Sequence, residues 1–554
     1  MELLALWLLG GLITLGTLLW ITGQLSGRLF GGSWPHVQAV AMGSVVVALP
    51  HHLGDPDDAW PVPSRVLIPG PVAFYGTFGA VLAPVIAMVI WLMSRRRDRR
   101  NGRRAARWAH THDLRVLRVR RPEPGRLILG RAHGRLVAAE SRQSAIVVGP
   151  TQTGKTTGFA IPAILEWQGP VVATSIKTDL LRETIAARDA INGAHTFVYD
   201  PTGSTGLPSA GWTPLMECLT WQGSQRVAEW LVRGARPGGS TSDAAEFWYG
   251  ATAKLLAPIL LAAACSGGSM AQVVDWVDTQ EDARVTNALE LNNEREALSA
   301  FEAIALWDDR TRGSVYATAQ TVLIAYVDPG VLMSAMTAEL RAERLLDGGW
   351  HTAYLCAPAH EQRRLQPLFA TLVQEIVAHA YERTTETGKP LDPPLLLVLD
   401  ECANIAPLRD LATLASTGAG QGIQLVSVFQ DMAQIYAVYG RDRAPTIVSN
   451  HRAKVILSGV ADPQTLDYLA RLLGDEEVPV TSSTSSTQGH STTQSINYRH
   501  LAPANVLREM RPGHGVLVYG HLAPARIALR PWFKDRQLRH LARHPARRVE
   551  AALP

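Results

Sequence analysis

Residues 144–157 read Ser-Ala-Ile-Val-Val-Gly-Pro-Thr-Gln-Thr-Gly-Lys-Thr-Thr. The first five are rich in β-branched side chains, which is typical of a buried parallel strand. The next eight, Gly149–Thr156, fit the pattern G-x-x-x-x-G-K-T, and Thr157 opens an apolar run that predicts a helix. A strand, a glycine-containing loop and a helix in this order predict a phosphate-binding loop.

This loop supplies the groups that a nucleoside triphosphate needs. Gly149 and Gly154 permit backbone turns that direct N–H groups inward, and the helix dipole favours an anion. Lys155, one of only six lysines in the chain, offers a compact charge to the β and γ phosphates, and the Thr156 hydroxyl suits Mg²⁺. We therefore predict ATP and Mg²⁺ as cofactors. The predicted nucleotide-binding residues are Gly149, Pro150, Thr151, Gln152, Thr153, Gly154, Lys155, Thr156 and Thr157.

An acidic pair follows a second apolar strand. Pro394–Leu399 precedes Asp400 and Glu401. We expect Asp400 to hold Mg²⁺ together with Thr156, and Glu401 to orient the attacking water. A surface acidic pair at the end of a strand is the alternative interpretation.

A third apolar strand, Ile423–Phe429, ends at Gln430. A polar residue at such a strand end senses the γ-phosphate in RecA-like motors, so Gln430 joins Lys155 and Glu401 as a predicted catalytic residue. The alternative is an ordinary polar residue at the end of a strand.

The rest of the chain predicts an α/β core with a helical insertion. Pro170–Thr174, His195–Tyr199 and Thr352–Ala357 have the apolar pattern of strands, whereas residues 223–344 have helical spacing. Thr481–Ser495 is rich in hydroxyl side chains and predicts a mobile, solvated loop.

Two uncharged segments near the N-terminus predict membrane-spanning helices, Leu3–Thr22 and Val72–Met93. The second would be roughly 33 Å long as a helix, enough to cross a bilayer. Eight arginines within residues 94–107 place the following chain in the cytoplasm by the positive-inside rule. A signal peptide is disfavoured by the lack of a basic start and of a cleavage site, and Val37–Leu49 is short for a third span.

These patterns predict the following organisation. A transmembrane anchor (1–93) carries an extracytoplasmic loop (23–71) and is followed by a basic juxtamembrane linker (94–112). The nucleotide-binding domain is split into 113–221 and 346–540 by an all-alpha domain (222–345), and a basic tail (541–554) ends the chain. Nearly half of the residues (47%) are apolar and 18% are charged, which indicates a foldable chain. The four cysteines are far apart in sequence, so neither disulfides nor zinc are implied.

The chain resembles the VirD/TraG/TraD-type coupling proteins of type IV secretion. The N-terminal spans and the basic run are similar to the family's anchor, and several segments follow in family order. Cys402 stands where a bulky residue is commoner in the family. The segments are Ser175–Leu180, Tyr199–Pro201, Gly211–Leu215, Glu246–Trp248, Leu399–Asn404 with Ala406-Pro407, Gln430–Tyr436, Asn450 and Pro531–Phe533.

The resemblance implies a RecA-like ATPase of the inner membrane, multi-pass, with its motor in the cytosol. It implies a homo-hexamer that brings single-stranded DNA and a relaxase to the components of a type IV secretion channel. It also implies arginines that act across subunit boundaries, for which Arg452 is a candidate.

Two other functions remain open at this stage. The protein could be an adaptor that recruits protein substrates, with ATP turnover as a switch; stimulation of hydrolysis by single-stranded DNA would separate the two. An FtsK-like translocase is disfavoured by the large insertion and by the lack of a C-terminal winged-helix module. An ABC transporter is disfavoured because no LSGGQ-like signature accompanies the loop.

Overall fold

A computed structural model of the protein describes residues 2–101, 105–175, 178–236, 243–486 and 489–543. The chain forms two compact units, Met1–Ala105 and Ala106–Pro554. The predicted basic tail lies outside the described residues from position 544 onward.

The first unit is helical. Short 3₁₀ turns, Ala39–Ala41, Leu49–His51 and Pro56–Ala59, lie in the connection between its two long helices. The helices are α1 (Glu2–Phe30), α2 (Met42–Ala48), α3 (Val62–Arg65) and α4 (Pro71–Asn101).

The connection folds back onto α1 and α4. Trp60 is 1% exposed, and its ring packs edge-on against Phe74 of α4 with 6.2 Å between the ring centroids. A Cβ at Gly23 of α1 would lie 2.0 Å from the Trp60 ring, so a glycine is needed there for close approach. The small core of this unit therefore joins the connection to both long helices.

The two predicted membrane spans lie within the two long helices of this unit, α1 and α4. Pro71–Trp91 is long and apolar enough to cross a membrane, and only 11% of its most apolar stretch of 18 residues is buried. The predicted first span, Leu3–Thr22, lies within α1, but its side chains up to residue 12 lie outside the described ones. The apolar helical segment Met42–His51 is roughly 15 Å long at 1.5 Å per residue, too short to span a bilayer by itself.

The second unit is built on one mixed sheet of twelve strands. The order across it is β1-β3-β2-β14-β13-β10-β4-β9-β8-β5-β7-β6, and β11 and β12 form a separate ribbon. The strands are β1 (Arg118–Val119), β2 (Ile128–Ala132), β3 (Arg135–Ala138), β4 (Ala145–Val148), β5 (Val171–Ser175), β6 (Thr196–Tyr199), β7 (Thr352–Cys356), β8 (Leu395–Leu399), β9 (Ile423–Phe429), β10 (Ala453–Leu457), β11 (Asp475–Ser486), β12 (Gly489–His500), β13 (His514–Tyr519) and β14 (Ala525–Ala528).

The sheet has a parallel half and an antiparallel half. The seven strands from β10 to β6 are parallel to one another, and the six predicted from sequence all lie here, within a residue or two of their predicted bounds. The five strands from β13 to β1 pair antiparallel and extend the sheet past β10. This extension was not predicted from the sequence.

Helices cover both faces of the sheet. Between β6 and β7 the described residues form α7–α14 and no strand. The helices of the second unit are α5 (Ile161–Glu166), α6 (Thr178–Asp189), α7 (Trp221–Ala235), α8 (Asp243–Cys265), α9 (Met270–Thr279), α10 (Asp282–Leu291), α11 (Arg295–Ala305), α12 (Asp309–Val322), α13 (Pro329–Ser334), α14 (Ala342–Leu345), α15 (Gln362–Thr387), α16 (Cys402–Ile405), α17 (Leu411–Gln421), α18 (Met432–Tyr439), α19 (Ala444–Asn450), α20 (Pro463–Leu473), α21 (Ala504–Arg508) and α22 (Arg536–Arg543).

Successive residues of a parallel strand point alternately into two different hydrophobic cores, one on each face of the sheet. In β4, Ile146 and Val148 join the core shared with α7, α8 and α15, whereas Ala145 and Val147 join the core shared with α5 and α6. Strands buried on both faces read as continuous apolar runs. This is why six of the seven parallel strands could be predicted from the sequence.

The hydroxyl-rich segment Thr481–Ser495 is not an irregular loop. Its described residues belong to β11 and β12, which pair antiparallel from Asp475↔His500 to Ser486↔Gly489. The prediction of a loop was therefore wrong. Threonine favours the extended conformation, and a ribbon satisfies its backbone hydrogen bonds without burying apolar side chains. The described side chains at 481–483 and 492–495 are exposed.

Candidate nucleotide site

The predicted site residues lie at the carboxyl ends of three neighbouring strands. β9 lies between β4 and β8, and all three run parallel. Their carboxyl ends therefore meet at one edge of the sheet, where ligands bind in open α/β folds. This edge carries the loop Gly149–Thr156 after β4, Asp400 and Glu401 after β8, and Gln430 after β9.

The loop after β4 has the backbone of a tight turn. Gly154 has a φ of +90° and Gln152 a φ of +65°, so two residues occupy the left-handed region. A non-glycine residue held there is strained, and such strain is concentrated at binding sites. Gly149 has a different role from the predicted one, because its φ is not positive; instead, a Cβ there would lie 2.9 Å from the Cβ of Leu457 on β10.

Lys155 is buried within this loop, at 8% exposure. Its ammonium group donates to the carbonyl oxygens of Gly149 and Pro150, the latter at 2.8 Å. The Thr153 hydroxyl donates to the same Pro150 carbonyl at 2.8 Å. The lysine therefore spans the turn and fixes a positive charge inside it, while Thr151 and Gln152 are exposed at its tip.

Thr156 and Asp400 are in direct contact although 244 positions separate them. The Thr156 hydroxyl donates to Oδ2 of Asp400 at 2.9 Å. The Thr174 hydroxyl, at the end of β5, donates to the backbone carbonyl of Asp400 at 3.0 Å and holds the strand end in place. A hydroxyl and a carboxylate side by side are oxygen ligands of the kind that Mg²⁺ prefers.

The carboxyl group of Asp400 is easier to protonate than an ordinary one. Burial raises its pKa to about 6; the Thr156 hydrogen bond and the charge of Lys155 lower it, and the charge of Glu401 raises it. Asp400 is 7% exposed. A divalent cation beside this group would favour the carboxylate and reverse the effect of burial.

Glu401 stands next to Asp400 in a strained conformation. Its φ is +53°, and its side chain is half-buried. The side-chain amide of Asn404, one helical turn later, donates to Oε2 of Glu401 at 2.9 Å. Asn404 was part of the sequence resemblance but was not predicted as a site residue; its spacing of three from Glu401 at the start of a helix is the signal that could have identified it.

Gln430 and Arg452 lie at opposite ends of the parallel strands. Gln430 follows β9 at the edge that carries the loop, and its backbone N–H donates to the side chain of Gln434 at 2.8 Å. Arg452 precedes β10 at the other edge, where it forms an ion pair with Glu140 at 3.3 Å and lies over the ring of Tyr519. A role for Arg452 across a subunit boundary stays a prediction.

The C-terminal segment packs against the helix that follows the loop, a contact that was not predicted from the sequence. The loop enters a π-helical turn, Thr156–Ala160, because Pro162 has no N–H to offer the Gly158 carbonyl and the N–H of Ile161 donates to Thr156. The carbonyls of Thr157 and Gly158 are thereby left for other donors. They accept from the backbone N–H groups of Trp532 at 3.0 Å and Arg530 at 3.2 Å.

A buried ion pair strengthens this attachment. The Arg530 guanidinium donates to both carboxylate oxygens of Glu166, at the end of α5, over 2.7 and 2.8 Å. Its Nε donates to Asp535 at 3.0 Å. The side chains of Arg530 and Glu166 are 2% and 4% exposed. The helix that carries Lys155 and Thr156 is therefore held at its far end by the last strand region of the chain.

Two kinds of comparison relate this chain to known proteins. The family described as Type IV secretory system Conjugative DNA transfer matches residues 104–553. VirD4 of Agrobacterium fabrum is 24% identical over 495 residues, which cover 85% of this chain and 72% of that protein. The conjugal transfer protein TraG of Escherichia coli is 24% identical over 454 residues, which cover 73% of this chain and 69% of that protein.

Solved structures of a conjugative coupling protein share the fold. The plasmid coupling protein TrwB in complex with ADP and Mg²⁺ aligns with a TM-score of 0.59 and 18% identity over 77% of this chain and 94% of that chain. Its unbound monoclinic form aligns with a TM-score of 0.57 and 19% identity. The mixed α/β sheet, with the loop Gly149–Thr156 after β4, and the fold shared with these structures support a RecA-like P-loop core. Because the family match covers most of its length, the chain belongs to the type IV secretion family of conjugative DNA transfer proteins.

Proposed function

We propose that this protein is a membrane-anchored ATPase that couples DNA, carried by a relaxase, to a type IV secretion channel and powers or gates the transfer of single-stranded DNA. One observation supports the ATPase above all others: the contact between Thr156 and Asp400, 2.9 Å long, joins the loop to the acidic pair. The related protein TrwB has been solved with ADP and Mg²⁺, which supports the same ligands here.

The residues of the site have complementary roles in this proposal. Lys155 and the backbone N–H groups of the loop bind the β and γ phosphates. Thr156 and Asp400 hold Mg²⁺, which when bound neutralises charge on the phosphate oxygens. Glu401 accepts a proton from, or orients, the attacking water. Gln430, at the end of the strand between the two motifs, contacts the γ-phosphate.

The remaining features of the proposal concern location and assembly. The apolar α4 and α1 anchor the chain in the inner membrane, and the second unit is cytosolic because arginines follow the α4 span. A homo-hexamer and contacts with channel components complete the proposed assembly, as the family membership suggests.

The test uses the full-length protein purified in detergent micelles. ATP turnover is measured with and without an oligothymidylate strand. We expect turnover that rises when the strand is added, and we expect Lys155→Ala to abolish it. Lys389→Ala, an exposed lysine before β8 at the opposite edge, serves as the matched control and should keep the wild-type rate. Normal turnover by the Lys155 variant would refute the site, and turnover indifferent to the strand would favour the adaptor.

A further inference from the structure

A pocket of about 560 Å³ lies beside the acidic pair, separate from the loop Gly149–Thr156. It is bounded by the C-terminal end of α7, the first turns of α15, the short α16 and α18. The described residues that line it include no aspartate or glutamate. Its side chains with hydrogen-bond donors are Arg236, Gln362, Arg363, Gln366, Asn404 and Arg409.

The electrostatics of this pocket favour an anion. The pKa of Arg409 is lowered, first because the guanidinium is partly buried and then because it is repelled by the charge of Arg236. An anion between these groups would relieve the repulsion. The pocket also lies at the N-terminus of α15, a helix of 26 residues, where the helix dipole adds a partial positive charge.

One buried amide in the pocket points to a ligand. Gln362 is 7% exposed, and its Nε2 has no hydrogen-bond partner among the described residues. Buried donors are nearly always paired in proteins. A ligand oxygen in the pocket would satisfy this group once the side chain turned towards it, because Nε2 itself has almost no accessible surface.

The pocket is connected to the acidic pair through one side chain. Asn404 lines the pocket and also donates its amide to the Glu401 carboxylate at 2.9 Å. While this hydrogen bond exists, one carboxylate oxygen of Glu401 is occupied. An acceptor that enters the pocket competes with Glu401 for the same amide.

We propose that this pocket binds backbone phosphates of single-stranded DNA, and that a bound phosphate takes the Asn404 amide and frees Glu401 for the attacking water. The inference rests on the proposed function and adds the site through which DNA stimulates hydrolysis. A volume of about 560 Å³ is typical of a pocket for a ligand of drug size, so it exceeds what a single phosphate ion needs.

The experiment measures ATP turnover of the full-length protein in detergent while an oligothymidylate of thirty nucleotides is titrated at several salt concentrations. Arg363 is exposed, so Arg363→Gln should fold normally. We expect it to raise the strand concentration for half-maximal stimulation about tenfold, as the loss of one charge-assisted hydrogen bond implies. The slope of the logarithm of affinity against the logarithm of salt should fall by about 0.7, the value for one phosphate contact on a single strand.

Asn404→Ala tests the connection itself. We expect its turnover without DNA to rise towards the stimulated wild-type rate, so that the ratio of stimulated to unstimulated turnover approaches one. Arg471→Gln removes an exposed arginine of α20 outside the pocket and should match the wild type in half-saturation, salt slope and ratio.

The outcomes separate this inference from the proposed function. A wild type without strand-stimulated turnover would overturn both. A stimulated wild type with an unchanged Arg363 variant, or with an Asn404 variant that keeps the wild-type ratio, would overturn the inference alone. Stimulation by inorganic phosphate as effective as that by the strand, at equal phosphate concentration, would also overturn it, because the pocket would then serve a free anion.

Discussion

Asp400 is both buried and proposed to bind a divalent cation. Its burial raises the pKa to about 6, so without a ligand the carboxyl is half-protonated near that pH. Cation binding requires the carboxylate, and therefore proton and Mg²⁺ compete for this side chain. Burial therefore makes the charge of this side chain depend on the cation.

This competition predicts a pH dependence of Mg²⁺ affinity. Above pH 7 Asp400 is ionised and the Mg²⁺ concentration for half-maximal ATP turnover should be constant. Below pH 6 that concentration should rise, by up to about tenfold for each further pH unit, because a proton must leave before the cation binds. The measurement is a Mg²⁺ titration of turnover at saturating ATP between pH 5 and 8. A half-saturating concentration that does not change over this range would show that Asp400 does not hold the cation.

At the scale of elements, the C-terminal segment stabilises the helix that follows the loop. The C-terminal segment supplies N–H groups to the Thr157 and Gly158 carbonyls, which the π-helical turn and Pro162 leave without helical donors, and Arg530 pairs with Glu166 in the interior. Two charges removed from water stabilise the fold only while both are present.

The ion pair predicts a stability difference between single and double variants. Arg530→Met should destabilise the second unit by about 3–5 kcal/mol, because it leaves the Glu166 carboxylate buried without its partner. Glu166→Gln together with Arg530→Met should recover most of this loss. Urea unfolding followed by tryptophan fluorescence checks both, with Arg539→Met, an exposed arginine of α22, as the control. A double variant as unstable as the single one would exclude the unpaired Glu166 carboxylate as the cause.

The difference between predicted and unpredicted elements is physical. The strands β4, β5, β7, β8 and β9 are buried at every position, so each shows as a continuous apolar run. β1 has only two residues, and β14 alternates buried with less buried positions. The position of a short or alternating strand is determined by packing against the neighbouring strands, and local sequence does not reveal these neighbours. β10 and β13 were the exceptions, since Val455–Leu457 and Val516–Tyr519 are buried runs that could have been recognised.

At the scale of the whole molecule, length and composition alone do not separate a membrane helix from a core helix. Among the described residues, Pro71–Trp91 and Ala244–Cys265 are both long and apolar enough to cross a membrane. The second is 61% buried within the second unit and belongs to its core, whereas the first is 11% buried. Only the packing of the chain distinguishes them.

The candidate site also depends on how the whole chain packs, and local sequence reveals only its parts. The loop Gly149–Thr156 and the acidic pair were each recognisable from local sequence, because strand, loop and helix follow one another. Their meeting depends on β9, which is inserted between β4 and β8. The Asn404–Glu401 hydrogen bond and the attachment of Arg530 depend on side-chain positions that no sequence pattern specifies.

The most direct measurement compares nucleotide binding with turnover in the Glu401→Gln variant of the full-length protein. Glutamine keeps the size of the side chain but cannot accept a proton from the attacking water. We predict that this variant binds ATP with Mg²⁺ as tightly as the wild type and loses at least a hundredfold in turnover, the scale of general-base catalysis. If Glu401→Gln hydrolysed ATP at the wild-type rate, the two distant motifs would not form one hydrolytic site.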